Sequence, residues 1–203
     1  MPIVSKKAKE IDAYIVAHPS CIKSNQKIEI DGKIRFDPSF QLPLNLLTYN
    51  HNNGRFNLEI QEYEAKIKRK LDPDDKQDVE KIKTLLLCDN IDSDKYNLEA
   101  EKLYNDLRQI GEQREVAAIT YDGIVVNGNR RMATIERLHK AEPTGKWNDL
   151  WVIRLPEDIS DSDLWKIEAG LQLSKEKVAD YNPVNNLLMI KEGKRAGLSQ
   201  LQG

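Results

Sequence analysis

Two consecutive arginines, Arg130 and Arg131, stand directly after Gly128-Asn129 and are the residues of this chain best suited to chemistry. A guanidinium is a permanent cation with forked donors, and a glycine beside it lets the backbone come close to a ligand. Together they suit an anion with several oxygens, phosphate above all. Their neighbours place them. The run 116–120 is apolar, Asp122-Gly123 signals a hairpin because both residues tolerate positive φ, and 124–126 is apolar again. Met132, Ala133, Ile135 and Leu138 then recur at helical spacing, so a helix starts near Asn129. Strand, glycine and a helix opening on two arginines gather free N–H groups and positive charge at one point. The other reading, an ordinary helix start with solvent-exposed arginines, stays open on the motif alone.

Other reactive residue types form no comparable constellation. His18 precedes Pro19 at a helix end, His51 lies in an Asn-rich loop, and His139 falls at the end of the helix after the arginines. Cys21 and Cys88 are far apart and lack metal-ligand spacing. No serine or cysteine sits in a recognisable nucleophile–base pattern, and no Gly-x-x-x-x-Gly-Lys-Ser/Thr loop is present. Trp147, Trp151 and Trp165 are read as packing residues.

The elements around the arginines follow from pattern. Residues 5–17 carry Ala8, Ile11, Ile15 and Val16 at helical spacing, and Pro19 stops them. Residues 28–36 alternate on both sides of Asp31-Gly32, which predicts a hairpin, read as a ribbon on the domain's edge. Residues 42–47 read as a short strand with Pro43 near its start, leading into the polar loop Asn50-His51-Asn52-Asn53-Gly54-Arg55. From about 58 to 110 the pattern is helical and highly charged, read as a solvated helical face. Residues 149–155 form a further core strand, and a helix with Leu164, Ile167 and Leu171 follows.

Composition limits the function classes. The 203 residues include 32% charged and 6% aromatic side chains, with a formal net charge of −2. A globally basic nucleic-acid binder is excluded, so DNA contact would need a local patch or regions outside this chain. No apolar run approaches membrane-spanning length, and a reducing, cytoplasmic setting is expected. The closing run Gly197-Leu198-Ser199-Gln200 reads as the opening of another helix, so a longer parent protein is expected.

Three stretches fall in the order of a known family. Leu42-Pro43-Leu44-Asn45-Leu46-Leu47-Thr48-Tyr49-Asn50-His51-Asn52-Asn53-Gly54-Arg55 resembles the first box of ParB-like domains, a strand followed by an Asn-Pro-Arg-type loop. The segment 107–126 with Gly128-Asn129-Arg130-Arg131 is similar to that family's helix, hairpin and Gly-x-Arg-Arg box. Glu168-Ala169-Gly170-Leu171-Gln172, with Tyr181-Asn182-Pro183 beyond it, partly matches the third box. Gly170 and Leu173 depart from the Asn and Arg expected there.

The resemblance spans 42–200 and implies an α+β fold of the ParB/sulfiredoxin type. That is a small mixed sheet with packed helices, carrying the helical insertion at about 58–98 and an N-terminal helix and hairpin over 1–41. It implies a nucleoside triphosphate, CTP or ATP, with Mg²⁺. Gly128, Asn129, Arg130 and Arg131 would hold the phosphates, with Asn53 and Arg55 beside them. Glu168 would fill the acidic position as the catalytic candidate, with Glu168 and Gln172 as metal candidates. A nucleoid-associated partner of DNA, working through regions beyond this chain and as a possible homodimer, is the implied setting. An NTPase or metal-dependent nuclease on the same scaffold, and a partner-binding module without nucleotide, are the alternatives. Sulfinic-acid reduction is not expected, because Asn129 stands where the sulfiredoxin branch has its cysteine region.

Overall fold

The computed structural model describes residues 5–30, 33–50 and 57–173. Among them are a six-stranded mixed sheet and six α-helices. Helix α1 (Lys6–Ala17) is capped by the Ser5 hydroxyl, which accepts from the Ala8 N–H. Strands β1 (Ile22–Ile30) and β2 (Lys33–Pro43) form the predicted hairpin, longer than its alternating centre suggested. A single 3₁₀ turn (Leu44–Leu46) leads to β3 (Thr48–Tyr49). Helices α2 (Asn57–Ile67), α3 (Lys76–Leu87) and α4 (Leu98–Ile110) follow. Then come β4 (Ala117–Ile119), β5 (Ile124–Asn127), α5 (Asn129–Ala141), β6 (Asp149–Arg154) and α6 (Asp161–Leu173).

The sheet order is β1-β2-β6-β4-β5-β3. Alternation along the strands divides its side chains between two faces. Leu42, Tyr49, Ala117, Ile119, Val125, Leu150 and Val152 join the main core with residues of α1 to α5. Ala118, Val126, Ile153 and Leu155 pack on the other face with Leu164 and Ile167 of α6. Helix α6 begins with a reciprocal cap, since the Ser160 hydroxyl bonds the Asp163 carboxylate and accepts from the Asp163 N–H.

Three expectations change. Pro43 ends a strand rather than starting one: β2 pairs with β6 as far as Pro43↔Asp149, and the chain then makes its 3₁₀ turn. The Asp122-Gly123 turn is a three-residue loop. Gly123 alone has positive φ (+88°), its N–H reaches the Thr120 carbonyl at 3.1 Å, and the Thr120 N–H reaches the Ile124 carbonyl at 2.8 Å. That is a type I turn closed by a left-handed glycine, a geometry Asp122 enters without leaving negative φ.

The largest change concerns the charged block. Ile60, Leu71, Ile82, Leu85, Leu86 and Leu87 are buried in the same core as α5 and the sheet. The helices are strongly charged because only one narrow stripe of each faces inward, and burial concentrates in those few residues. The N-terminal segment is equally integral. Ile11 is fully buried in that core, and Arg154 of β6 ties α1 down through Asp12, the Ala8 carbonyl at 3.3 Å and the Tyr121 ring at 3.8 Å.

Truncating Ile82 or Leu86 to alanine should therefore cost about 2–5 kcal/mol each in urea denaturation. Excising 60–96 should abolish the cooperative transition. A solvated block would give losses under about 0.5 kcal/mol.

Candidate functional site

Strands β3 and β5 are parallel neighbours, paired Thr48↔Ile124 and Tyr49↔Val125. Parallel strands emerge from the same edge of a sheet, so Asn50, directly after β3, and the turn after β5 meet there. In open α/β sheets that edge is where ligands gather. One side chain joins the two segments. Asn129, 2% exposed, donates from Nδ2 to the Val125 carbonyl at 2.7 Å and accepts the Asn50 N–H on Oδ1 at 3.0 Å. Asn50, the one described residue of the polar loop, is thus tied to the arginine box by an asparagine whose polar atoms bond protein on both sides. Residues 51–56, with His51, Asn53 and Arg55, lie outside the described residues.

Gly128 is the N-cap of α5, with φ +104° and no side-chain cap. Its conformation is one that L side chains rarely adopt, and a Cβ there would stand 2.7 Å from the Ala117 Cβ. The glycine is required by packing of the turn on β4. The expected reason, access for a phosphate oxygen, is not needed to account for it.

The arginines diverge, as consecutive helical residues must at about 100° per residue. Arg130 turns toward the helical block: Nε donates to the Leu86 carbonyl at 2.9 Å, and Nη1 pairs with Glu99 at the start of α4. Arg131 turns toward the segment before β4, where Nη2 meets Glu115 at 2.5 Å. Gln113 holds that segment against β6, donating to the Trp151 carbonyl at 2.7 Å and accepting from the Trp151 N–H at 2.9 Å. Arg131 Nη1 is buried without a hydrogen-bond partner. Burial draws its guanidinium pKa below the ordinary value while Glu115 opposes the shift. Both arginines therefore have acidic partners, and both partners are accessible, with side chains 44% (Glu99) and 56% (Glu115) exposed.

Behind the turn, Tyr49 donates its hydroxyl to Glu136 Oε1 at 2.9 Å, and Lys83 reaches Glu136 Oε2 at 2.5 Å. Burial raises the Tyr49 pKa well above the phenol range, and the Glu136 carboxylate adds to it. For Lys83, burial works against the charge, but the bonds to Glu136 and Glu80 outweigh it and raise the pKa. The β3 end is thereby fixed to α5 at two points, Tyr49 and Asn50.

Glu168 lies on α6, which packs on the sheet face opposite α5. The Gln172 side chain and residues 181–186 fall outside the described ones. Among the described residues no group of three or more His, Cys, Asp or Glu could hold a metal ion, and no helix is long and apolar enough to cross a membrane. Sequence reading missed Glu99 and Glu115. The signal for Glu99 was its place in the first turn after Asn97, which caps α4 by accepting the Ala100 N–H at 2.8 Å; nothing in sequence pointed to Arg130.

Gly128→Ala should destabilise the fold by more than about 1 kcal/mol in chemical denaturation, from left-handed strain plus the contact with Ala117. Adding Ala117→Gly should recover the contact part and leave the strain.

Comparison with known proteins finds no family model, no curated protein and no solved structure that matches this chain.

Proposed function

We propose that the β5–α5 turn and the adjoining segment after β3 bind the phosphates of a nucleoside triphosphate, CTP or ATP. The chain would then act as the nucleotide-binding module of a DNA-associated protein, like the ParB-like domains it resembles. The observation that supports this is convergence: Asn50, at the end of β3, is bonded to Asn129 beside a helix start that has no side-chain cap and carries two guanidiniums. A helix start offers N–H groups without intrahelical acceptors, and the local dipole favours negative charge.

The residues suit phosphate oxygens better than a metal of their own. The acidic groups nearest the turn, Glu99 and Glu115, are already paired with the arginines. Mg²⁺ would accordingly arrive on the triphosphate, whose charge it would partly neutralise. Binding would be an exchange, in which phosphate oxygens replace an accessible glutamate on a guanidinium. Arg131 is the better placed of the two, because its Nη1 has no hydrogen-bond partner among the described residues, whereas Arg130 is bonded to a backbone carbonyl of α3. Arg130 then braces the helical block.

Calorimetric titration with CTP, ATP, GTP and UTP, each with Mg²⁺, tests the reading. Binding of at least one is expected, and Arg131→Ala should weaken it roughly tenfold to a hundredfold, the loss of one charge-assisted bond. Glu115→Gln should strengthen it, because the competing carboxylate is gone. Failure of all four nucleotides to bind, or unchanged binding by a folded Arg131→Ala protein, would overturn the proposal. Phosphate release in the same samples separates a binding module from an NTPase.

A further inference from the structure

The second half of α5 borders a site that the phosphate reading does not use. A cleft of about 290 Å³ lies between α3, α5 and the 88–96 segment. That volume is at the small end of the range for ligand pockets. Its formal charges balance, with Lys83, Arg137 and Lys140 against Glu80, Glu136 and Asp94. A ligand without net charge suits such a lining best.

Most of these groups are engaged with one another. Lys83 is held between Glu136 and Glu80, and Lys140 stands 3.7 Å from Glu80. Two are not. The Arg137 guanidinium is stacked between Tyr96 and Tyr104, 3.6 and 4.0 Å from the ring centroids. Its Nη1 lies 2.9 Å from Glu101 Oε1 without hydrogen-bond alignment and is buried without a partner. Arg137 thus makes no hydrogen bond to any described residue, although its side chain is only 23% exposed. A guanidinium so desolvated forfeits hydrogen bonds it would make in water, and with two rings against it the in-plane edge is what remains for contact. A planar two-oxygen acceptor matches that edge, as a carboxylate does in a forked pair. Asp94 at the rim is exposed and joins no ion pair or hydrogen bond among the described residues. It is the acceptor for a ligand cation.

We propose that this cleft binds a free amino acid, its carboxylate in the plane of Arg137 and its ammonium on Asp94. Arg130 and Arg137 are seven residues apart on one stripe of α5, so the phosphate turn and the cleft share a helix but no liganding side chain.

The test is calorimetry with the common amino acids, each binder then compared with its methyl ester and its N-acetyl derivative. At least one amino acid should bind, and removing either ligand charge should weaken it about tenfold or more. Arg137→Gln and Asp94→Asn should each do the same, while Arg131→Ala leaves amino-acid binding intact. Because Arg137 is packed between two rings and its replacement risks the fold, Asp94→Asn at its exposed position decides the matter if Arg137→Gln does not fold. No binding at about 10 mM of any amino acid, equal binding of the esters, or an unchanged affinity in Asp94→Asn would overturn the proposal.

Discussion

The structure depends on the left-handed turn at Gly128, where the chain leaves β5 with no room for a side chain against Ala117. That contact sets the direction in which α5 departs from the sheet. Met132, Ala133, Ile135 and Leu138 then fall on the core, and Asn129 falls under the end of β3. A different exit angle would misplace every one of these contacts, because they sit on one rigid helix. The N–H groups of the helix start and the two arginines are carried to their places by the same angle.

Helix α5 makes two kinds of contact with the helical block. One stripe is apolar and shares the main core with Ile82, Leu85 and Leu86. The other is an ion-pair seam: Arg130 with Glu99, Arg137 with Glu101, Lys83 with Glu136 and Lys140 with Glu80. The exposed Lys140–Glu80 pair contributes about 0–1 kcal/mol, and in the partly buried pairs the cost of desolvation offsets much of the attraction, so apolar burial dominates the docking energy. The seam contributes specificity instead, since sliding α3 or α4 by a turn would place like charges together. The same polar seam leaves a hydrophilic cleft between helices whose apolar stripes are already buried.

Placing functional groups on α5 has a physical rationale. Its side chains are held by a core on one side and by charge partners on the other, so their positions are fixed before any ligand arrives. Preorganised donors lose little entropy on binding. Glutamates on the guanidiniums serve a related end, keeping partly desolvated cations paired. Tyr49 and Asn50 extend this order to the start of the segment after β3, through Glu136 and Asn129.

Much of the element order was legible from sequence, because it rests on local periodicity. The α1 helix, the β1–β2 hairpin around Asp31-Gly32, the strand–glycine–helix unit at 124–138 and the capped α6 all follow from spacing and turn chemistry within a few residues. The neighbourhood of the arginine box was legible in part, since a strand followed by glycine and helix implies a helix N-terminus. Tertiary structure decided the rest. Whether Leu86 or Ile82 faces water or core depends on a partner helix more than forty residues away, and a charged amphipathic stripe looks the same in either setting. The roles of Arg130 and Arg131 turned on Glu99 and Glu115, whose approach is set by how α4 and β4 pack rather than by any spacing along the chain. Gly128 itself marks the boundary. Its need for positive φ is a local property readable from sequence, but the Ala117 methyl that leaves no space for a Cβ comes from a neighbouring strand, and only the folded sheet brings it there.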